Sequence, residues 1–163
     1  MRVADVCTRR VICATPSMHL VDAADLMQKN QVGALVVVDS PGRDARPVAM
    51  LTDRDIALAL AVADRSPAHR TVSDVMSAGV VVCTENDVLF DVIEMMRSRG
   101  VRRMPVVDVA GRLTAVLSAD DLVGALAEHL VSIARVLTYS QSTPDRGADA
   151  ARGIDRSAGE AET

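Results

Sequence analysis

The chain has 163 residues, with 18 Lys and Arg against 22 Asp and Glu, a net charge of −4. That balance excludes a strong binder of nucleic-acid backbone, which needs a basic surface. One Phe, one Tyr and no Trp also leave no stacking platform for single strands.

In chain order, Met1–Arg10 carries charge and no apolar h-region, so it does not read as a signal peptide. Val11 to Ala14 is a short apolar run and reads as a strand. From His19 to Gln31 the apolar positions Leu20, Ala23, Ala24 and Met27 recur at helical spacing. Ala34 to Val38 is β-branched, Pro41-Gly42 marks a turn, Pro47 to Leu51 reads as a strand and Asp53 to Ala63 as a helix. Strands follow near 80–83, 104–108 and 113–117, with helices near 87–99 and from 119 onward. The last helix keeps a stripe of Leu122, Leu126, Leu130, Ile133 and Leu137 to about Tyr139. After Gln141 the composition turns to Gly, Asp, Arg, Ala and Thr, and a disordered tail is expected. The longest unbroken apolar run, Ile56 to Ala63, is far short of the ~20 residues of a membrane helix. A cytoplasmic protein without membrane insertion is the expectation.

Sliding the chain by 69 residues exposes a duplication. Residues 3–39 laid on 72–108 give 12 identities in 37 ungapped pairs, among them Asp5/Asp74, Thr15/Thr84, Met27/Met96 and Asp39/Asp108. After a longer loop in the first copy the register resumes with Leu51-Thr52-Asp53-Arg54-Asp55 on Leu117-Ser118-Ala119-Asp120-Asp121. Each copy reads strand, helix, strand, strand, helix. Continuous rather than alternating apolar strands point to α/β (α+β) architecture with sheets covered by helices. A unit of this size buries little of its own surface, so two copies should share a core about a pseudo-twofold axis. The organisation expected is a first repeat at 1–66, a second at 67–128, a helical extension at 129–140 and a tail at 141–163.

Cys7, Cys13 and Cys83 form no CxxC pair, and His19, His69 and His129 lie apart from them. No disulfide framework or metal site is expected. No Walker loop, GxGxxG or nucleophile–base signature appears, so no catalytic residue is assigned and the chain does not read as an enzyme.

The chemistry concentrates in Thr52-x-x-Asp55 and Ser118-x-x-Asp121, each at a strand-to-helix junction. One reading is a capping box, worth about 1 kcal/mol and needing no ligand. The other uses the free N–H groups and dipole of a helix start to hold a phosphate, with the carboxylate accepting from ribose hydroxyls. Both readings stand on spacing alone.

The duplication, the two Thr/Ser-x-x-Asp elements and Val101-Arg102-Arg103-Met104-Pro105-Val106-Val107-Asp108 resemble the CBS (cystathionine-β-synthase) domain, which occurs in tandem as the Bateman module. The resemblance spans roughly residues 1–128. It implies two clefts for adenosine-containing ligands: AMP, ADP or ATP foremost, with S-adenosylmethionine or another adenosyl compound also in range. Thr52 with Asp55, and Ser118 with Asp121, look like the two ligand pairs. Thr15 and Thr84 look like the starts of segments that read the adenine edge, and Arg102 and Arg103 like phosphate partners of the first pair. Where the family often has Gly three residues before the hydroxyl, Ala49 and Ala115 stand here, and their methyls narrow any close approach of backbone to ligand. Gly33 and Ala34 face the second pair and carry no charge. The first cleft should therefore take a phosphorylated ligand, and the second an uncharged or cationic adenosyl group or none. The resemblance further implies a stand-alone sensor acting in trans on an unknown effector protein, as a homodimer. Its rival is a ligand-free interaction or dimerisation module whose two motifs are only caps.

Overall fold

The computed structural model describes residues 1–61 and 69–141. The expected tail after Gln141, and the end of the helix expected to reach Ala63, lie outside them. The chain divides into a unit of Met1–Ala125 and a unit beginning at Leu126.

In the first unit, β1 (Cys13–Ala14), α1 (Leu20–Asn30), β2 (Ala34–Val38), β3 (Pro47–Thr52) and α2 (Asp53–Ala61) are followed by β4 (Ser77–Ala78), β5 (Cys83–Thr84), α3 (Leu89–Arg99), β6 (Arg103–Val107), β7 (Leu113–Ser118) and the start of α4 (Ala119–Gln141). The strands form two sheets, β1-β2-β3-β4 and β5-β6-β7. In each, a parallel pair joins an antiparallel hairpin, and both hairpins slip register at equivalent places, Val37/Val38 and Val106/Val107. The strand, helix, strand, strand, helix order is therefore present twice.

Strand alternation explains why these runs are apolar throughout. Leu35, Val37, Ala49 and Leu51 face α1 and α2 in one buried cluster, and Met104, Val106, Ala115 and Leu117 face α3 and α4 in another. The opposite faces bring Val36, Val38 and Met50 together with Leu113 and Val116 between the sheets. Strands covered on both faces have no side left for polar residues. Ala49 and Ala115 are fully buried in the helix-facing clusters. Their methyls point away from the face that carries Met50, so they do not crowd a ligand, contrary to the sequence expectation.

The packing of each repeat is completed by the segment that precedes the other. The 3-10 turn at Val3–Asp5 places Val3, fully buried, in the second repeat's core. The N–H of Val3 donates to Asp87 O, that of Ala4 to Glu85 O, and Thr8 and Val116 exchange backbone bonds at 2.9 Å. The turn at Val72–Asp74 does the same for the first repeat: Val72 is fully buried there, and its N–H donates to Met18 O. β4 then extends the first repeat's sheet beside β3. The sequence repeat and the packing unit thus differ by one exchanged arm each.

All three cysteines are free. Cys83 lies buried in the apolar core, which pushes its thiol up to about 12. The stripe expected along the last helix divides. Leu122 is buried in the second repeat's core, whereas Leu130, Ile133 and Leu137 are 57–67% exposed. Ala119–Tyr139 is one helix long and apolar enough, by length and composition, to cross a membrane, with mean hydropathy 1.3 and 6% of that span buried. The sequence reading missed it because its apolar run is broken by Glu128, His129 and Arg135.

Candidate functional site

Both Thr/Ser-x-x-Asp elements close a reciprocal cap at a helix start. Asp55 Oδ2 accepts from the Thr52 N–H at 2.8 Å and from its hydroxyl at 2.7 Å, while Asp55 N–H donates to Thr52 Oγ1 at 3.2 Å. Asp121 Oδ2 accepts from Ser118 N–H at 2.8 Å and from its hydroxyl at 2.5 Å, with Asp121 N–H returned to Ser118 Oγ at 3.2 Å. In each carboxylate one oxygen holds the cap. The other, Oδ1, accepts no hydrogen bond from the described residues and remains able to take a ligand's hydroxyl.

Each pair lines a cleft. The Thr52 cleft, about 410 Å³, gathers Thr52 and Asp55 with Arg54 from the first turn of α2, Gly79-Val80-Val81 before β5, and Arg102 and Arg103 at the start of β6. The Ser118 cleft, about 250 Å³, gathers Ser118 and Asp121 with Arg10-Val11-Ile12 before β1, Gly33 and Ala34 at the start of β2, and again Arg103. Small-molecule sites run from about 300 Å³ upward; the Thr52 cleft exceeds that size and the Ser118 cleft is the tighter of the two. Asp53 adds a second carboxylate to the Thr52 cleft. Three guanidiniums thus face two carboxylates there, and two face one in the other cleft.

Of the residues singled out in the sequence, Thr52, Asp55, Arg102 and Arg103 come together in one cleft, and Ser118 and Asp121 in the other. Thr15 and Thr84 line neither cleft. β1 runs parallel to β2 with Ala14 beside Val37, so the chain is already moving away from the Ala34 end when it reaches Thr15. Thr84 is the last residue of β5, beside Val107, where its hydroxyl donates to Asp87 at 2.8 Å. The residues that line the clefts from these segments are the ones before the strands, Val11-Ile12 and Val80-Val81. In the first of these segments the Val11 N–H already donates to Arg9 O and the Ile12 C=O accepts from the Val36 N–H.

The expectation of an uncharged second cleft is also corrected. Gly33 and Ala34 do face Ser118 and Asp121, but Arg10 and Arg103 bring positive charge to the same space. Arg10 was missed because its counterpart, 69 residues on, is Gly79, so no repeated motif marked it. Its guanidinium is held by Asn30 Oδ1 at 3.3 Å. Arg102 approaches Asp120 at 3.8 Å, both largely exposed, a pair that contributes little. Among the described residues no group of three or more His, Cys, Asp or Glu could hold a metal ion.

A duplicated strand–helix–strand–strand–helix unit with exchanged arms and a polar cleft beside each helix cap defines a paired ligand-binding regulatory module. The CBS domain model matches residues 3–62 and 72–128, and the chain belongs to the CBS domain family as a tandem pair. CBS domain-containing protein YhcV of Bacillus subtilis is 35% identical over 120 residues, 74% of this chain and 81% of that protein. Protein MK0525 of Methanopyrus kandleri is 27% identical over 120 residues, 74% of this chain but 60% of that longer protein. The crystal structure of the CBS domain pair of protein MJ0100, in complex with 5-methylthioadenosine and S-adenosyl-L-methionine, superposes with a TM-score of 0.67 at 25% identity, covering 77% of this chain and 99% of that one.

Proposed function

We propose that the protein is a regulatory CBS pair that binds an adenine nucleotide in the Thr52 cleft and acts in trans, in the cytoplasm, on an effector protein. The observation that carries this reading is the convergence of Thr52, Asp55, Arg54, Arg102 and Arg103 on one cleft of about 410 Å³. A phosphate is costly to desolvate and needs charge-assisted donors, which the guanidiniums supply; the first N–H groups of α2, on Asp53, Arg54 and Asp55, already donate to Gly33 O, Asp53 Oδ1 and Thr52 Oγ1. The ribose hydroxyls fit the free oxygen of Asp55, and the backbone of Val80-Val81 suits a base edge. The adenosyl ligands of the MJ0100 pair support the ligand class.

Thermal melting with AMP, ADP, ATP, S-adenosylmethionine and adenosine tests it. A ligand at 100 times Kd adds about 2.7 kcal/mol, a rise of roughly 5–10 °C for a domain of this size. No shift with any of them would favour the second reading, an interaction module whose motifs serve as caps, a role the hydrogen bonds already fulfil. A homodimer is part of the proposal. Leu58 on α2 and Leu126, Leu130, Ile133 and Leu137 on α4 are exposed, and apolar faces of that extent mark interaction surfaces. Sedimentation should give twice the 17.3 kDa chain mass.

A further inference from the structure

We propose that Arg103 is shared between the two clefts, so that a phosphate bound in one antagonises a phosphate in the other. The inference rests on the nucleotide-binding reading above and adds its regulation.

Arg103 and Met50 are the two residues common to both cleft linings. The strands put them there. Met104 and Val106 of β6 face the helix-covered core, so Arg103 projects from the opposite face, as Met50 does from β3 between the sheets. The counterpart of Arg103 in the first repeat is Ala34, which lines the Ser118 cleft alone. The partition therefore carries a cation from one side only.

Arg103 is half-buried, and its guanidinium forms no hydrogen bond or ion pair with the described residues, whereas Arg10 is held by Asn30 and Arg102 lies near Asp120. Its guanidinium is uncommitted until a ligand arrives. The planar fork matches one phosphate bidentately. Once it is turned into the Thr52 cleft, the Ser118 cleft keeps Arg10 alone against a phosphate. The loss is mutual, because coupling between two binding equilibria is reciprocal.

The test is calorimetric titration of the full chain with AMP and, separately, with adenosine. AMP should bind wild type in two unequal steps. Asp55→Asn disables the Thr52 cleft, and the remaining step at the Ser118 cleft should then be about tenfold tighter than the weak step of wild type, within the usual range of coupling factors. Adenosine, which has no phosphate to compete for, should show no such gain. Arg103→Gln, which removes no core contact, should lower both AMP affinities and abolish the difference between the single-cleft and two-cleft proteins. A weak step unchanged by Asp55→Asn overturns the sharing and leaves nucleotide binding intact. So does antagonism that survives Arg103→Gln, or a single AMP per wild-type chain with none bound by Asp55→Asn. Failure of wild type to bind AMP, ADP or ATP overturns the nucleotide reading and the sharing together. Melting curves of each variant establish that it is folded.

Discussion

The Thr52 and Ser118 clefts descend from one repeated pattern, carry the same cap and share Arg103, yet their other cations come from different places. The Thr52 cleft draws its cations from the β6 start and the α2 turn, through Arg102, Arg103 and Arg54, with Gly79 standing before β5. The Ser118 cleft reverses this: Arg10 stands before β1, while Gly33 and Ala34 occupy the β2 start. The lesson is that duplication preserves what holds the helix start, while charge at the rim is free to change sides. Hydrogen bonds of the cap are fixed by local geometry. A guanidinium on a long side chain can reach the same space from several backbone positions.

The most damaging way to break the comparison is through the exchanged arms, since each arm runs on into the lining of a cleft. Val3→Ala and Val72→Ala each remove two methyl groups from a fully buried site, at a cost of about 2 kcal/mol. Chemical denaturation should show similar losses for both. If the arms are the structural units described, Val3→Ala should weaken the Ser118 cleft first and Val72→Ala the Thr52 cleft. Equal loss of ligand at both clefts in either variant would show that the arms do not act locally.

Next in size are the carboxylates. Asp55→Ala should remove most of the thermal shift given by AMP, a loss of roughly 10–100-fold in affinity for a charged hydrogen bond, while Asp121→Ala should leave the tight step nearly intact. Arg10→Ala then sharpens the contrast. It should weaken AMP about tenfold at the Ser118 cleft, a charge-assisted effect, and leave adenosine unchanged. An equal effect of Asp121→Ala and Asp55→Ala on the tight step would remove the asymmetry.

A smaller difference lies in the backbone. α1 and α3 both end on a left-handed residue that lines a cleft, Gln31 at φ 54° beside the Ser118 cleft and Gly100 at φ 66° beside the Thr52 cleft. Only glycine takes that conformation without a steric cost of about 1 kcal/mol. Gly100→Ala should lower stability by about that amount, whereas Gln31→Gly should be neutral to slightly stabilising.

The smallest effect expected is at the hairpin turns. Asp39 accepts from the Arg46 and Ser40 N–H groups, and Asp108 from the Arg112 and Ala110 N–H groups and the Arg112 guanidinium. These bonds hold both carboxyls below their ordinary value of 3.8. A carboxyl depressed in the folded state stabilises at neutral pH, and that contribution is lost as acid protonates it. Melting temperature should therefore fall below about pH 4, and less steeply in Asp39→Asn and Asp108→Asn. Asp108→Asn should give the larger change, because it also loses the Arg112 ion pair.

The sequence by itself determined the duplication, the element order and the two caps, because periodicity and Thr/Ser-x-x-Asp spacing are local properties of the chain. Val36 and Val37 show why β2 read as buried on both faces: adjacent residues belong to two different apolar clusters. Local signals also led to the pairs Thr52/Asp55 and Ser118/Asp121. Tertiary structure alone decided the rest. The exchange of Val3 and Val72 between repeats depends on backbone bonds across more than 50 residues, which no periodicity reports. Arg10 reaches the Ser118 cleft, and Thr15 and Thr84 miss theirs, because a parallel β1–β2 pairing sets which end of the strand meets the cleft. Arg103 serves both clefts for the same kind of reason: strand alternation turns its side chain toward the other sheet, and only the pairing of the two sheets supplies a second cleft on that side.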